Sequence, residues 1–283
     1  MSSLAGSTAA DESTARQVAP RVIFCYDDKA AVSLRCGAAL ESVGGEFTVR
    51  RYVPPEFVDT PGAVAVLVGR PLVEVVTATD QSGLAVVSVC LFNVTSPSPE
   101  SSSLCCEVFD FLYKNGMKSC LLASLLGRIP SAWGKLYKPS VPTAFCASFG
   151  APEPPPFVAG PQVSTIDVAK HMPQTFQDPL LCLASQILSV QRVSAKYIFI
   201  DSKLTGAPGY VALNARNLKK RDMNNANACR HCATLIAHLF SVVGSDSRMA
   251  INWDGYDSLR ANRGRFLKTG SGRDSGMASA MYM

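Results

Sequence analysis

The sequence predicts an α/β protein: a three-layer domain whose mixed β-sheet is flanked by helices, with a disordered N-terminal leader and a flexible C-terminal tail. Three observations carry this reading. Strand-like runs crowd the first third of the chain, strands then alternate with amphipathic helical stretches, and clusters of Gly, Pro, Ser and Asp separate them.

Taken in order, RVIFCY (21–26), FTVRRYV (47–53), AVAVLV (63–68), LVEVVTA (72–78) and LAVVSVCLF (84–92) are β-branched and bounded by turn residues, so each reads as a strand. The run 47–53 alternates apolar and polar residues. By contrast, 84–92 is apolar nearly throughout, the pattern of a central strand covered on both faces. SPSPESSS (96–103) reads as an exposed loop. After it, Leu104, Val108, Phe111 and Leu112 recur at helical spacing, with Glu107, Asp110 and Lys114 opposite and Asn115-Gly116 as the stop. MKSCLLASLL (117–126) reads as a buried strand, and the Gly/Ser/Pro-broken stretch through Lys138 as a surface loop.

The strongest breaker is GAPEPPPFVAGP (150–161), a stiff proline-rich loop that cannot join a sheet. Beyond it, Asp178-Pro179 starts a helix, the acid as N-cap and the proline in the first turn. Leu180, Leu183, Ala184, Ile187 and Leu188 form its apolar face. The strand KYIFID (196–201) follows. A further helix places Cys232, Leu235, Ile236, Leu239 and Val243 on one face and ends at Gly244. This gives a leader over 1–20, one α/β domain over 21–245 and a basic tail over 246–283.

With 283 residues, 47% of them apolar and 17% charged, the chain can bury a substantial core, which excludes a wholly disordered protein. No apolar run reaches the roughly 18–20 residues of a membrane-spanning helix, which predicts a soluble protein without a membrane partner. The leader lacks a basic start and an apolar centre, so it does not read as a secretory signal. The ten cysteines sit mostly in apolar runs, among them Cys25, Cys90, Cys120 and Cys182, and read as buried thiols of a reducing compartment. Asn93-Val94-Thr95 matches a glycosylation acceptor, which carries no meaning without export. The net charge of +5 is uneven. Residues 211–283 hold 11 Lys and Arg against 5 Asp and Glu, leaving the rest near neutral. The aromatics of this quarter, Phe240, Trp253, Tyr256, Phe266 and Tyr282, are not interleaved with its charges, so an acidic protein surface explains the bias as well as nucleic acid does.

Catalytic motifs are missing: there is no GxGxxG, GxxxxGK[ST], GxSxG, HExxH or EF-hand loop. His231 and His238, seven residues apart on one predicted helix, read as the polar edge of a packed helix, and His171 stands beside prolines. Cys229-Arg230-His231-Cys232 has the form of a zinc or thiol-exchange cluster. It lacks the second ligand pair that structural zinc needs, and reads as a thiol pair. Asp27-Asp28 ends the first strand, where α/β proteins often build active sites, though turn acids are commoner. Asp201-Ser202-Lys203 would set a nucleophile beside a base, but a polar turn leaving a strand accounts for it. No catalytic residue, metal ligand or cofactor is assigned.

The last residues, Met281-Tyr282-Met283, form a hydrophobic-tyrosine-any ending on a Gly/Ser-rich segment, and this resembles the HbYX motif of proteins that dock on the proteasome core particle. The succession VCLFNV, CCEVFDFLYKNGMKS, CLLASL, then Tyr137, Pro139 and Pro142, then TAFCASF is similar to the core of the proteasome assembly chaperone 1 family. So is the later order of Asp178-Pro179-Leu180-Leu181, YIFID and ALNARNL. The resemblance covers residues 84–220 in order of elements, at low identity. It implies a non-enzymatic chaperone, cytoplasmic and also nuclear, that forms a heterodimer with a proteasome assembly chaperone 2-like partner. It further implies binding of proteasome α-subunits, assembly of the α-ring of the 20S core particle, and docking of Met281, Tyr282 and Met283 in an α-ring pocket. Nucleic acid is not an implied partner. The alternative is a small-molecule enzyme on a phosphorylase- or hydrolase-like α/β fold, with Asp27 or Asp201 in a cleft.

Overall fold

The computed structural model describes residues 18–27, 31–42, 48–95, 98–126, 144–149, 163–166, 179–201 and 249–259. In chain order these form β1 (Arg21–Cys25), α1 (Val32–Ala38), β2 (Leu40–Ser42), β3 (Thr48–Tyr52), a 3-10 turn at Pro55–Phe57, β4 (Val73–Thr79) and β5 (Ala85–Phe92). They continue with α2 (Pro99–Lys114), β6 (Ser119–Leu126), β7 (Ala144–Phe149), β8 (Val163–Ile166), α3 (Pro179–Val190), β9 (Ser194–Asp201), β10 (Met249–Ile251) and α4 (Trp253–Ser258).

Eight strands make one sheet in the order β3-β4-β5-β1-β6-β9-β7-β8, and β10 pairs with β2 in a separate two-stranded sheet. The four central strands β5, β1, β6 and β9 are parallel. β3 and β4 add antiparallel pairings at one side, and β7 is antiparallel to β9 at the other. The sheet is therefore mixed, as the patterning predicts.

Alternation along β1 divides its side chains between two cores. Val22 and Phe24 join Cys90, Phe92, Leu104, Val108, Phe109, Leu112, Leu181 and Leu188, the apolar faces of α2 and α3. Phe24 stacks on Phe92 at 5.6 Å and on Phe109 at 4.6 Å between ring centroids. Ile23 and Cys25 face the opposite way, joining Val89, Leu91, Leu121, Leu34, Leu40 and Tyr256 beneath α1 and α4. This is the three-layer arrangement. It also explains why 84–92 is apolar at nearly every position, since β5 is buried on both faces. α1 lies so close to the sheet that a Cβ on Gly37 would stand 2.5 Å from Leu91 Cδ2.

Four features differ from the sequence reading. Residues 63–68 are not a strand; they form turns with isolated bridge positions at Ala65, paired with Val94, and at Leu67. The stretch 96–103 is not all loop, because α2 begins at Pro99. Ser98 accepts from Ser101 N and Ser101 Oγ accepts from Ser98 N, each at 3.0 Å, so two serines that suggest a loop by composition form a capping box, with proline at the first helical position. Val18 and Ala19, assigned above to the leader, are buried, and Ala19 N donates to Ser88 Oγ at 2.8 Å. The folded part also runs beyond 245: β10 and α4, assigned above to the tail, pack on β2 and α1. Among the described residues no helix is long and apolar enough to cross a membrane.

Cys25, Cys36, Cys90, Cys105 and Cys120 are buried, Cys182, read above as buried, is half-buried, and Cys106 is exposed on α2. Burial holds the Cys90 and Cys120 thiols far above their ordinary value, which keeps them from forming thiolates. Iodoacetamide applied to the native protein near pH 8 is therefore expected to modify Cys106 and to spare the five buried thiols until denaturant is added, as read by peptide mass mapping. Gly37→Ala is expected to lower unfolding stability by about 1–3 kcal/mol, measured by urea denaturation, because α1 must move off Leu91 to admit one methyl group.

Candidate functional site

Parallel strands in an open α/β sheet leave their C-terminal ends together at one edge, and a crevice opens where connections leave a strand in opposite directions. Here β1 ends at that edge between its parallel neighbours β5 and β6. Cys25, opposite Ala123, is followed by Tyr26 and the half-buried Asp27, and Ser33 Oγ donates to the Tyr26 carbonyl at 2.9 Å. Asp201 ends β9 opposite Leu126. The backbones of these two acids thus flank β6 at the same edge, separated by two strand spacings of about 4.8 Å each. The topology brings Asp27 and Asp201 to one edge. Asp28, Ser202, Lys203, His171, His231, His238, Cys229, Cys232, the loop at 150–161, the helix at 232–243 and the tail with Met281, Tyr282 and Met283 lie outside the described residues.

The same edge is organised by Asn93, which follows β5 and is buried. Its Nδ2 donates to the carbonyls of Leu67, Arg70 and Pro71 at 3.2, 3.3 and 3.0 Å, and its Oδ1 accepts from Leu67 N at 2.6 Å. One amide side chain therefore takes up the backbone groups of 67–71 that a strand ladder would use, which is why 63–68 turns instead of extending. The same bonds remove the Asn93 amide from solvent, so the Asn-Val-Thr match is closed to modification in the folded chain. The connection between β3 and β4 leaves Val58, Val64 and Val68 facing solvent.

A second polar constellation lies beside the C-terminal end of α1. Arg51 Nη2 donates to the carbonyls of Ala38 and Leu40 at 3.0 Å each, and Arg70 Nη2 donates to Ala38 O at 2.9 Å. Two cations thus meet the negative pole of the helix. Buried Glu74 stands between them. It accepts from Arg51 Nη1 at 3.4 Å, and its other oxygen lies 3.6 Å from Arg70 Nη1, an ion pair too long for a hydrogen bond. Ala38, Leu40, Glu41, Arg51, Arg70 and Asn252 line a cleft of about 300 Å³ here. With their charges turned onto Glu74 and the helix end, the arginines hold α1 against β3 and β4. Among the described residues no group of three His, Cys, Asp or Glu side chains is placed to hold a metal ion. Sequence reasoning missed this arrangement, although Glu74 in the otherwise apolar LVEVVTA signals a buried acid that needs a cation.

The sequence matches no protein-family model and no curated protein. Solved structures similar in layout include Pyrococcus furiosus PbaB, an archaeal proteasome activator, at 10% identity and a TM-score of 0.44 over 85% of this chain and 88% of that one. Another is Pyrococcus furiosus PbaA, an archaeal homolog of proteasome-assembly chaperone, at 11% identity and a TM-score of 0.35 over 76% and 93% of the two chains. A third is the purine nucleoside phosphorylase of Toxoplasma gondii in complex with immucillin-H, at 12% identity and a TM-score of 0.35 over 78% and 93%. Superposition at this level fixes neither a family nor an activity.

Asn93→Asp is expected to destabilise the fold by about 3 kcal/mol or more in urea denaturation at neutral pH. The change sets a carboxylate against three carbonyls, and each buried acceptor left without its donor costs about 1–3 kcal/mol.

Proposed function

We propose that this chain is a proteasome assembly chaperone. With a partner chaperone it binds α-subunits and promotes assembly of the 20S α-ring, in the cytoplasm and the nucleus, docking Met281, Tyr282 and Met283 in an α-ring pocket. The observation that carries the reading is the motif Met281-Tyr282-Met283, an apolar residue, a tyrosine and one further residue on a Gly/Ser-rich run. The physics is carboxylate capture: the free carboxylate meets a fixed cation while the tyrosine ring fills an apolar slot. The order β5, α2, β6 over the segment where the family resemblance begins supports it, as do the solvent-facing valines between β3 and β4, which suit a protein partner better than a small solute. The likeness in layout to PbaA and PbaB bears none of its weight. The basic balance of the C-terminal quarter would steer the tail toward an acidic surface.

The test is co-purification of α-subunits with the full chain and with a chain lacking Tyr282 and Met283. The intact protein is expected to carry α-subunits and the shortened one to lose most of them. Failure of the intact protein to capture any α-subunit would sink the proposal.

The second reading, a small-molecule enzyme on a phosphorylase- or hydrolase-like α/β fold, has one observation in its favour: Asp27 and Asp201 share the C-terminal edge of the parallel strands. Asp27→Asn separates the two readings. Under the chaperone reading it leaves α-subunit capture unchanged. Under the enzyme reading the purified protein cleaves nucleosides in phosphate buffer, and the substitution abolishes that turnover.

A further inference from the structure

We propose that residues 249–259 form a detachable latch, held on the domain by a small set of contacts and able to open while the eight-stranded sheet stays intact. The inference does not rest on the chaperone reading. β10 contributes three residues, pairing Met249 with Ser42, Ala250 with Glu41 and Ile251 with Leu40. The six-residue α4 follows directly. A three-residue strand and a helix of under two turns have no stability of their own, so the segment is ordered only by what it touches.

Among the described residues those contacts are local. Asn252 is the pivot: its N–H donates to Ala39 O at 2.8 Å, its Nδ2 donates to Glu41 Oε1 at 2.6 Å, and its Oδ1 caps α4 by accepting from Gly255 N at 2.9 Å. Tyr256 is fully buried and shares its apolar surroundings with Leu34 and Leu40. Arg35 clamps it from above, its Nε and Nη2 donating to Tyr256 O at 3.2 and 2.9 Å while its guanidinium lies 4.1 Å from the centre of the Tyr256 ring. Trp253 packs edge-on against the same ring at 5.6 Å and remains partly exposed.

The latch supplies no strand to the eight-stranded sheet, and the hydrogen bonds that tie it down end on α1, β2 and the turn between them. Opening therefore breaks the short β10–β2 ladder, the Arg35 clamp and the packing of Tyr256 and Leu259 on the second core, whereas global unfolding breaks both cores. The open form frees the edge of β2 and removes Tyr256 from Leu34 and Leu40, converting a closed face into an apolar one beside an unpaired strand.

The chain has two tryptophans, Trp133 and Trp253, so Trp133→Phe in the full-length protein leaves Trp253 as the reporter of the latch. In a urea titration its fluorescence transition is expected at a lower midpoint than the loss of far-UV circular dichroism. In native-state hydrogen exchange the amides of Ala250, Asn252 and Tyr256 are expected to exchange at least about 100-fold faster than those of β1 and β5. Arg35→Gln, which removes the clamp and keeps the apolar contact, should quicken latch exchange at least tenfold and leave β1 and β5 unchanged. Coincident urea transitions, latch and sheet amides that exchange together, or an Arg35→Gln protein that fails to fold would each overturn the proposal.

Discussion

A strand with no polar side to turn toward water has to be covered twice, and β1 is that strand here. Val22 and Phe24 require one apolar layer, and Ile23 and Cys25 require another. Everything else in the domain answers this constraint. α2 and α3 cover the first face with leucines and the Phe24–Phe92–Phe109 stack, while α1, brought close by Gly37, covers the second. Burying both faces removes several large apolar side chains from water, each worth about 1.5–3 kcal/mol, and this sets the rigidity against which the polar features are held. Arg51, Arg70 and Glu74 then fix the end of α1, and Asn93 fixes the 67–71 segment that leads into β4.

How much of this was legible in the sequence follows from the range of the interactions involved. Strands β1, β3, β4, β5, β6 and β9 and helices α2 and α3 could be read because their patterns are local: β-branched runs, helical spacing, and Asn115-Gly116 closing α2, with Gly116 at φ 116°. Most of the errors share one cause, contacts between residues far apart in the chain. Nothing in AVAVLV reveals that Asn93, many residues on, will occupy its backbone. Nothing near Tyr256 reveals that Arg35 waits for it. The serines before α2 are a different case, since composition suggested a loop where their spacing was already that of a cap.

The candidate site was legible only as a place. Residues ending β1 and β9 can be put at one edge from topology alone, so Asp27 and Asp201 were recognisable as neighbours of a crevice. Their chemistry depends on surroundings that strand patterning does not specify. The polar cleft beside α1 was invisible because its arginines come from β3 and from the connection after it and meet only when β3, β4 and α1 are assembled. The functional reading rests instead on the chain's last three residues, where a short linear motif carries its meaning without tertiary context.

The position of β1 also has a bearing on how the chain is made. Val22 pairs with Ser88 on one side and Cys120 on the other, and the Pro20 carbonyl accepts from both Lys118 and Ser119. β1 is thus synthesised before either neighbour and lacks both until on the order of a hundred further residues have followed, and pairings over such separations form slowly. During that interval an apolar segment suited to a sheet centre is left without cover, an aggregation hazard of the nascent chain that the finished domain no longer shows.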